Sequence, residues 1–277
     1  MNKLSNAQRS QVVASLVEGN SIRATVRMTG VAKNTVVNLL ADLGDACAAY
    51  QNRVLRNLTC KRVQCDEIWS FCYAKEKNVP QDKKGKFGYG SVWTWVAMDA
   101  DTKLVPCFRI GDRNAWAAQH FMYDLKSRLA NRIQLTTDGH RVYATAVELA
   151  FGTEVDYAML VKLFGADPKG EDVRYSPAEC IGCRSIPVTG NPDYKHISTS
   201  YVERQNLTMR MKMRRFTRLT NAFSKKVDNL RHAVALHFMH YNFCRVHQTL
   251  RVTPAMEAGI ADHVWGIEEV VGLLGSR

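Results

Sequence analysis

Apolar residues recur at helical spacing through the first forty positions of the chain. Val12, Val13, Leu16 and Val17 place one apolar side on a short helix over residues 7–19. Residues 21–40 continue the pattern in two pieces. Ser21 caps a helix whose apolar face is Ile22 and Val26, Gly30 supplies a left-handed turn, and Val36 and Leu39 open a second helix. A helix, a tight glycine turn and a second helix make a helix-turn-helix unit, with Val31, Val36 and Leu39 at its buried positions. The position four before the glycine, usually small in such units, is Val26. On this reading Lys33, Asn34, Thr35 and Asn38 are placed to reach the major groove of DNA; a plain helical pair has the same spacing. Residues 41–58 read as helix passing into a linker.

The period then changes. Residues 63–74 (VQCDEIWSFCYA) are rich in strand formers, and a polar, glycine-rich turn or loop follows. Residues 91–100 and 103–111 are strands joined at Asp101-Thr102, hence a hairpin. An amphipathic helix over 115–130 precedes a strand at 133–137, a helix over 141–152 and a strand at 155–165. Residues 165–197 hold Pro168, Pro177, Pro187 and Pro192 and read as an irregular insertion. Helix returns at 198, where Ser198 or Thr199 can cap, and again at roughly 221–243. Three antiparallel strands leading into α/β crossovers predict a mixed α/β fold, a five-stranded sheet flanked by helices in ribonuclease-H-like order. The implied division is 1–58 for the helix-turn-helix region, 59–255 for the sheet domain and 256–277 for a C-terminal tail.

Charge sharpens this division. The 277 residues carry a net charge of +12, distributed as +6 in 1–62, −1 in 63–203, +10 in 204–251 and −3 in the remainder. Two basic segments around a neutral middle point to a polyanion, most often nucleic acid. No apolar run reaches the length of a membrane span, and the first residues lack the apolar core of a signal peptide. A cytoplasmic, nucleoid-associated protein is expected. The eight cysteines then read as free thiols.

Three carboxylates stand out by position. Asp66 falls inside a buried strand, where a charge is costly unless paired or metal-bound. Asp138 ends the fourth strand and Glu203 lies one turn into a helix. Each alone is ordinary: a paired strand aspartate, a turn aspartate, a solvated glutamate. In the expected strand order the first and fourth strands are central neighbours, so the three side chains converge. Such a site suits two divalent cations in phosphodiester chemistry, magnesium with manganese as the alternative. Arg210 follows Glu203 by two helical turns, Arg214 continues that face, and Lys212, Arg215 and Arg218 make the helix basic.

These residues carry a resemblance. Residues 22–36 (IRATVRMTGVAKNTV), CDEIWSF (65–71), VWTWVAMDADTKL (92–104), LTTDGH (135–140), residues 198–218 (STSYVERQNLTMRMKMRRFTR) and HYNFCRVHQTLRVTPA (240–255) resemble the DDE transposases, specifically the insertion-sequence-one family of bacterial elements. The resemblance implies that Asp66, Asp138 and Glu203 are the catalytic, metal-binding triad and that Arg210 contacts DNA. It also implies cleavage at the terminal inverted repeats of a mobile element and joining to target DNA. Both ends must be brought together, so a homo-oligomer on DNA is expected. Members of the family often carry a zinc ribbon before the helix-turn-helix; here the first cysteine is Cys47, so either end recognition rests more on the helix-turn-helix or the chain represents a shorter subgroup.

Two rivals share these features: a nuclease that only hydrolyses, and a DNA-binding regulator without catalysis. Other groups read as structural. Cys180 and Cys183 are half a zinc site lacking partners, unless His196 joins them. Glu67 points to the opposite sheet face from Asp66 if the strand is regular, and is structural or at most a support to the ligands. Asp99 and Asp101 shape a hairpin, His237 and His240 pack on a helix, and His247 positions or supports. Trp69, Trp93 and Trp95 belong to the core or the sheet faces.

Overall fold

A computed structural model describes residues 4–165, 179–217 and 221–275. Among them, β1 (Arg62–Cys72), β2 (Gly90–Asp99), β3 (Phe108–Gly111), β4 (Ile133–Asp138), β5 (Val155–Phe164) and β6 (Cys180–Thr189) form one sheet in the order β3-β2-β1-β4-β5-β6. β1 pairs antiparallel with β2 and parallel with β4; β4 and β5 are parallel. The five expected strands are therefore present in the expected order, and β1 and β4 are the central neighbours.

The sixth strand corrects the sequence reading. β6 lies within the stretch expected to be irregular and pairs antiparallel with β5. Pro187 is tolerated there because β6 is an edge strand, where a missing N–H is lost to solvent rather than to a ladder. Pro168, Pro177 and Arg218 lie outside the described residues. β3 is also shorter than expected. Pro106 cannot donate, and the Asn242 side chain takes the place of a strand partner, accepting from Val105 N and donating to Val105 O, both at 3.0 Å.

Helices cover both faces. On one face α4 (Ala115–Arg128) and α5 (Val142–Phe151) bring Phe121, Leu125, Tyr143 and Val147 against Trp95, Leu135 and Tyr157. On the other, α6 (Ser200–Lys212) and α7 (Val227–Met239) bring Val202, Met209, Val234 and Phe238 against Ile68, Val92 and Val96. Each such side chain contributes on the order of 2 kcal/mol when fully buried.

The N-terminal helices share this core. α1 (Asn6–Val17), α2 (Ile22–Thr29) and α3 (Lys33–Val54) follow the expected bounds closely. Ser21 Oγ accepts from Ala24 N at 3.1 Å, and Gly30 closes α2 at φ +69°, a left-handed conformation that side chains other than glycine resist. Val31, Val36 and Leu39 are buried as expected. α3 runs unbroken for 22 residues and crosses α7 so closely that a Cβ at Gly44 would lie 2.4 Å from His232 Cβ. Gln51 Nε2 ties the same crossing by donating to Ala235 O at 3.1 Å. Val12, Val36 and Leu43 belong to one apolar cluster with Trp95, Leu236 and Phe243.

Two further readings change. α6 ends at Lys212, and Arg214–Phe216 form a separate 3-10 turn, so Arg214 does not continue the helical face of Arg210. Buried Met213 and Phe216 fix that break. The described part of the C-terminal segment, 256–275, packs on the core. After α8 (Pro254–Glu257), α9 (Ile267–Gly272) buries Val270 and Val271 in the cluster shared with α1. No helix among the described residues is long and apolar enough to cross a membrane.

Candidate active site

The regular β1–β4 ladder ends at Cys65–Thr137, one residue before Asp66 and Asp138. The two aspartates therefore stand side by side where the central strands part. The gap also admits Glu67. Strand alternation puts Glu67 on the α4–α5 face, as expected, yet its carboxylate reaches the gap. Asp66, Glu67 and Asp138 each offer an oxygen, and those oxygens lie within 4.8 Å of one another. The sequence reading of Glu67 as structural, or at most a support to the ligands, did not bring its carboxylate into the group, because it considered direction and not the reach of a glutamate at a strand divergence.

Like charges at this spacing repel, and burial adds to the cost. Burial, then Asp138, push the Asp66 carboxyl up to about 6, against hydrogen bonds from Glu67 N at 2.8 Å and Asn206 Nδ2 at 2.8 Å. Burial, then Asp138, push Glu67 up to about 8. The Glu67 side chain is 0% exposed; the buried Tyr143 hydroxyl faces it and partly offsets the burial, but neither carboxylate oxygen makes a hydrogen bond of good geometry. Its compensation is Arg113, from the β3–α4 connection. One guanidinium nitrogen of Arg113 lies 3.6 Å from both Glu67 and Asp138, while the group stacks 4.7 Å over Trp93. His140 N donates to Asp138 Oδ1 at 3.0 Å and holds that carboxylate at the strand end.

α6 is pinned to the same strand. Gln64 Oε1 accepts from Tyr201 N at 2.9 Å and Val202 N at 3.1 Å, so a β1 side chain caps the helix. Of the two expected caps, Ser198 Oγ accepts from Ser200 N at 3.2 Å, whereas Thr199 makes no cap bond and donates its hydroxyl to Glu203. Glu203 lies on the Asp66 side of the sheet, and its charge helps raise Asp66. Its carboxylate is held by Lys162 Nζ at 2.6 Å and stands outside the 4.8 Å group. The structure thus brings Asp66 and Asp138 together, adds Glu67, and keeps Glu203 nearby on a lysine tether.

The donor set fits a hard divalent cation. All three groups are carboxylates, one is buried with orphaned oxygens, and Arg113 and Lys162 already supply positive charge at the rim.

A basic groove of about 1070 Å³ runs between the N-terminal helices and the end of α6. Its charged lining includes Arg23, Lys33, Lys212, Arg214, Lys225 and Lys226, and no acidic residue. Lys33, Asn34, Thr35 and Asn38 are all exposed on the first turns of α3, and all but Thr35 line the groove. Arg214 is exposed in it; Arg210 is half-buried and is not part of its lining. A Cβ at Gly19 would lie 2.9 Å from Lys212 O across the junction, and Lys212 Nζ pairs with Glu18 at 2.5 Å.

The other weighed groups fall into place. Cys180 and Cys183 lie exposed on β6, not in a loop, and belong to no three-ligand cluster among the described residues. All eight cysteines are free. His196 lies against Arg62 and Asp193. Asp99 accepts from Thr102, and Asp101 pairs with Arg62, which shapes the hairpin. The 240–255 pattern is structural where its contacts are seen. Tyr241 donates to Lys103 O at 3.1 Å, Asn242 holds Val105, and Thr253 caps α8. His247 shares a 2.9 Å hydrogen bond with Thr249.

The chain matches no family model and no curated protein. Among solved structures it is similar to the Mos1 strand transfer complex, at TM-score 0.25 and 15% identity, over 57% of this chain and 59% of that one. It is also similar to the Mos1 mariner paired end complex with Mn, at TM-score 0.24 and 14% identity, over 56% and 59%. The chain spans less than two thirds of the length of those chains.

Proposed function

We propose that the chain is a DDE-type transposase with a ribonuclease-H-like catalytic domain, of the kind the insertion-sequence-one resemblance implies. The observation that carries this reading is the convergence of Asp66, Glu67 and Asp138 where the two central parallel strands part. In this reading Asp66 and Asp138 would hold the cations, with Glu203, now paired with Lys162, as the third carboxylate. A pair of divalent cations held there would supply activation of the attacking oxygen and stabilisation of the leaving oxygen in an in-line displacement.

The protein groups supply the rest. Arg113 keeps the Glu67 and Asp138 charges tolerable. Gln64 and Asn206 fix α6, and with it Glu203, against β1. Lys33, Asn34, Thr35 and Asn38 read DNA as the second helix of a helix-turn-helix. The α3 N-terminus has no side-chain cap, which suits it to a phosphate. Arg214 and the groove lysines hold the backbone, and Arg210 steadies phosphate near α6. Two copies act together on paired element ends, with water cutting and the freed 3′-hydroxyl joining to target DNA.

The test uses supercoiled plasmid with a pre-cut oligonucleotide that ends in a 3′-hydroxyl. Magnesium-dependent joining that disappears in Asp138→Asn is expected. Nicking without joining supports a nuclease, and neither product supports a regulator. Glu203→Gln and Glu67→Gln then assign the third carboxylate: activity surviving in Glu203→Gln and lost in Glu67→Gln overturns the assignment to Glu203.

A further inference from the structure

Beyond Glu67, the same sheet face carries aromatic residues that the core does not absorb. Trp69 pairs with Trp93 across β1 and β2, and Phe71 follows two residues on, opposite Ser91. All three aromatics are half-exposed, whereas Trp95, one pair inward, is fully buried under α4 and α5. Trp69 and Phe71 have ring centroids 5.8 Å apart, and Phe71 meets Phe223 at 4.7 Å. Phe223 is held there because the next residue, Ser224, pairs with the end of β1, where Tyr73 N donates to Ser224 O at 2.9 Å.

Each end of this run carries a cation on a ring. Arg113 stacks on Trp93 at the carboxylate end, and Lys225 lies 4.5 Å over Phe223 at the other. Phe223 and Lys225 also line the basic groove. A half-exposed aromatic strip therefore leads from a groove without acidic lining to the cation-binding carboxylates. Aromatic faces interleaved with cations suit unpaired bases and their phosphates, which stack without regard to sequence. The cations at both ends of the strip complement a polyanion.

We propose that Trp69, Phe71 and Phe223 form a stacking platform for unpaired DNA nucleotides beside the carboxylate notch. The proposal rests on the DNA-processing reading above. It implies that the strand next to the bond being cut is unstacked from its partner and laid along the sheet face, with Arg113 at the inner end and Lys225 at the outer.

The test measures binding by fluorescence anisotropy, with the full-length chain and no added metal, so that no strand is cut. The probes are a short duplex with an unpaired oligothymidine tail and a blunt duplex with the same number of nucleotides. The tailed probe is expected to bind on the order of tenfold more tightly. Trp69→Ala should remove most of that preference and leave blunt-duplex binding nearly unchanged, while Trp69→Phe should retain it; Phe223→Ala, at a residue that also lines the groove, should likewise abolish the preference, lowering tailed-probe binding more than blunt-duplex binding. If Trp69→Ala does not fold, Phe223→Ala, at a connecting segment, decides the matter. Equal binding of both probes by the wild-type chain, or a preference that survives Phe223→Ala, overturns the platform. A tail preference without any magnesium-dependent nicking sinks the catalytic reading and leaves the platform; nicking without a preference does the reverse.

Discussion

The carboxylate notch and the basic groove are built in opposite ways. The notch lies on the two central strands, is largely buried, and keeps like charges within 4.8 Å of one another. The groove is formed by helix ends and connecting segments, and its lysines and arginines stand mostly in solvent. Chemistry on a phosphodiester needs ligands fixed before the cation arrives, and only a rigid strand pair holds repelling carboxylates in place. Holding a polyanion needs charge at roughly the right spacing, which flexible exposed side chains provide. The notch should therefore be intolerant of single changes, and the groove graded.

The largest expected effect is at the notch. Asp138→Asn or Asp66→Asn should lower magnesium-dependent strand cleavage by about a thousandfold or more, comparable to losing several kcal/mol of transition-state stabilisation. The fold should survive, since a repelling charge is removed. Magnesium should raise the unfolding temperature of the wild type and not of Asp138→Asn. An equal rise in both would show that the cation binds elsewhere.

The next effect asks whether the groove's frame is as rigid as the notch. Gly44→Ala must push α3 off α7, because the new methyl meets the His232 backbone as well as its side chain. A loss of about 2–3 kcal/mol in urea unfolding is expected. A neutral result would mean that the crossing adjusts freely.

A third effect is pH-dependent and lies beneath the groove. Burial, with His240, Arg245 and Lys212 nearby, pushes His237 down to about 3. The unfolded imidazole titrates near 6.5, so between those values the unfolded chain binds more protons. This contribution is intact above about pH 6.5 and is lost as pH falls toward about 3, by up to roughly 1.4 kcal/mol per pH unit. His237→Leu should flatten the stability profile between about pH 6.5 and 5; an unchanged slope would assign the effect to other groups.

The smallest single effects belong to the groove. Arg214→Ala or Lys226→Ala should weaken DNA binding to a similar degree for all sequences and reduce the salt slope by about 1 each. Lys33→Ala or Asn38→Ala should instead change the preference among sequences. A collapse of binding from one groove lysine would break the comparison.

The sequence carried the strand order and the central pairing of β1 with β4, because alternation, turn residues and crossover rules constrain those directly. It placed Asp66 and Asp138 together for the same reason. Glu67 was not legible, since its role depends on where a ladder stops, which no local pattern encodes. Arg113 and Lys162 were missed because a charged residue in a connection or on a half-exposed strand looks solvated until its partner is known. β6 was hidden by Pro187, a residue that excludes a central strand and not an edge. The break after Lys212 was hidden too, because Met213 and Phe216 at helical distance continue the apparent period while anchoring a turn.

The unbroken course of α3 makes it a lever. Its fulcrum is the Gly44–His232 crossing, and Lys33 lies eleven residues away, about 16 Å along the axis. A tilt of a few degrees at the fulcrum displaces the tip by about 1 Å, as much as separates a made from a broken hydrogen bond to a base edge. In the proposed reading, strain between α3 and α7 is thereby delivered to the residues assigned to DNA, and engagement at the tip is felt on α7, one layer away from the sheet that carries the carboxylates.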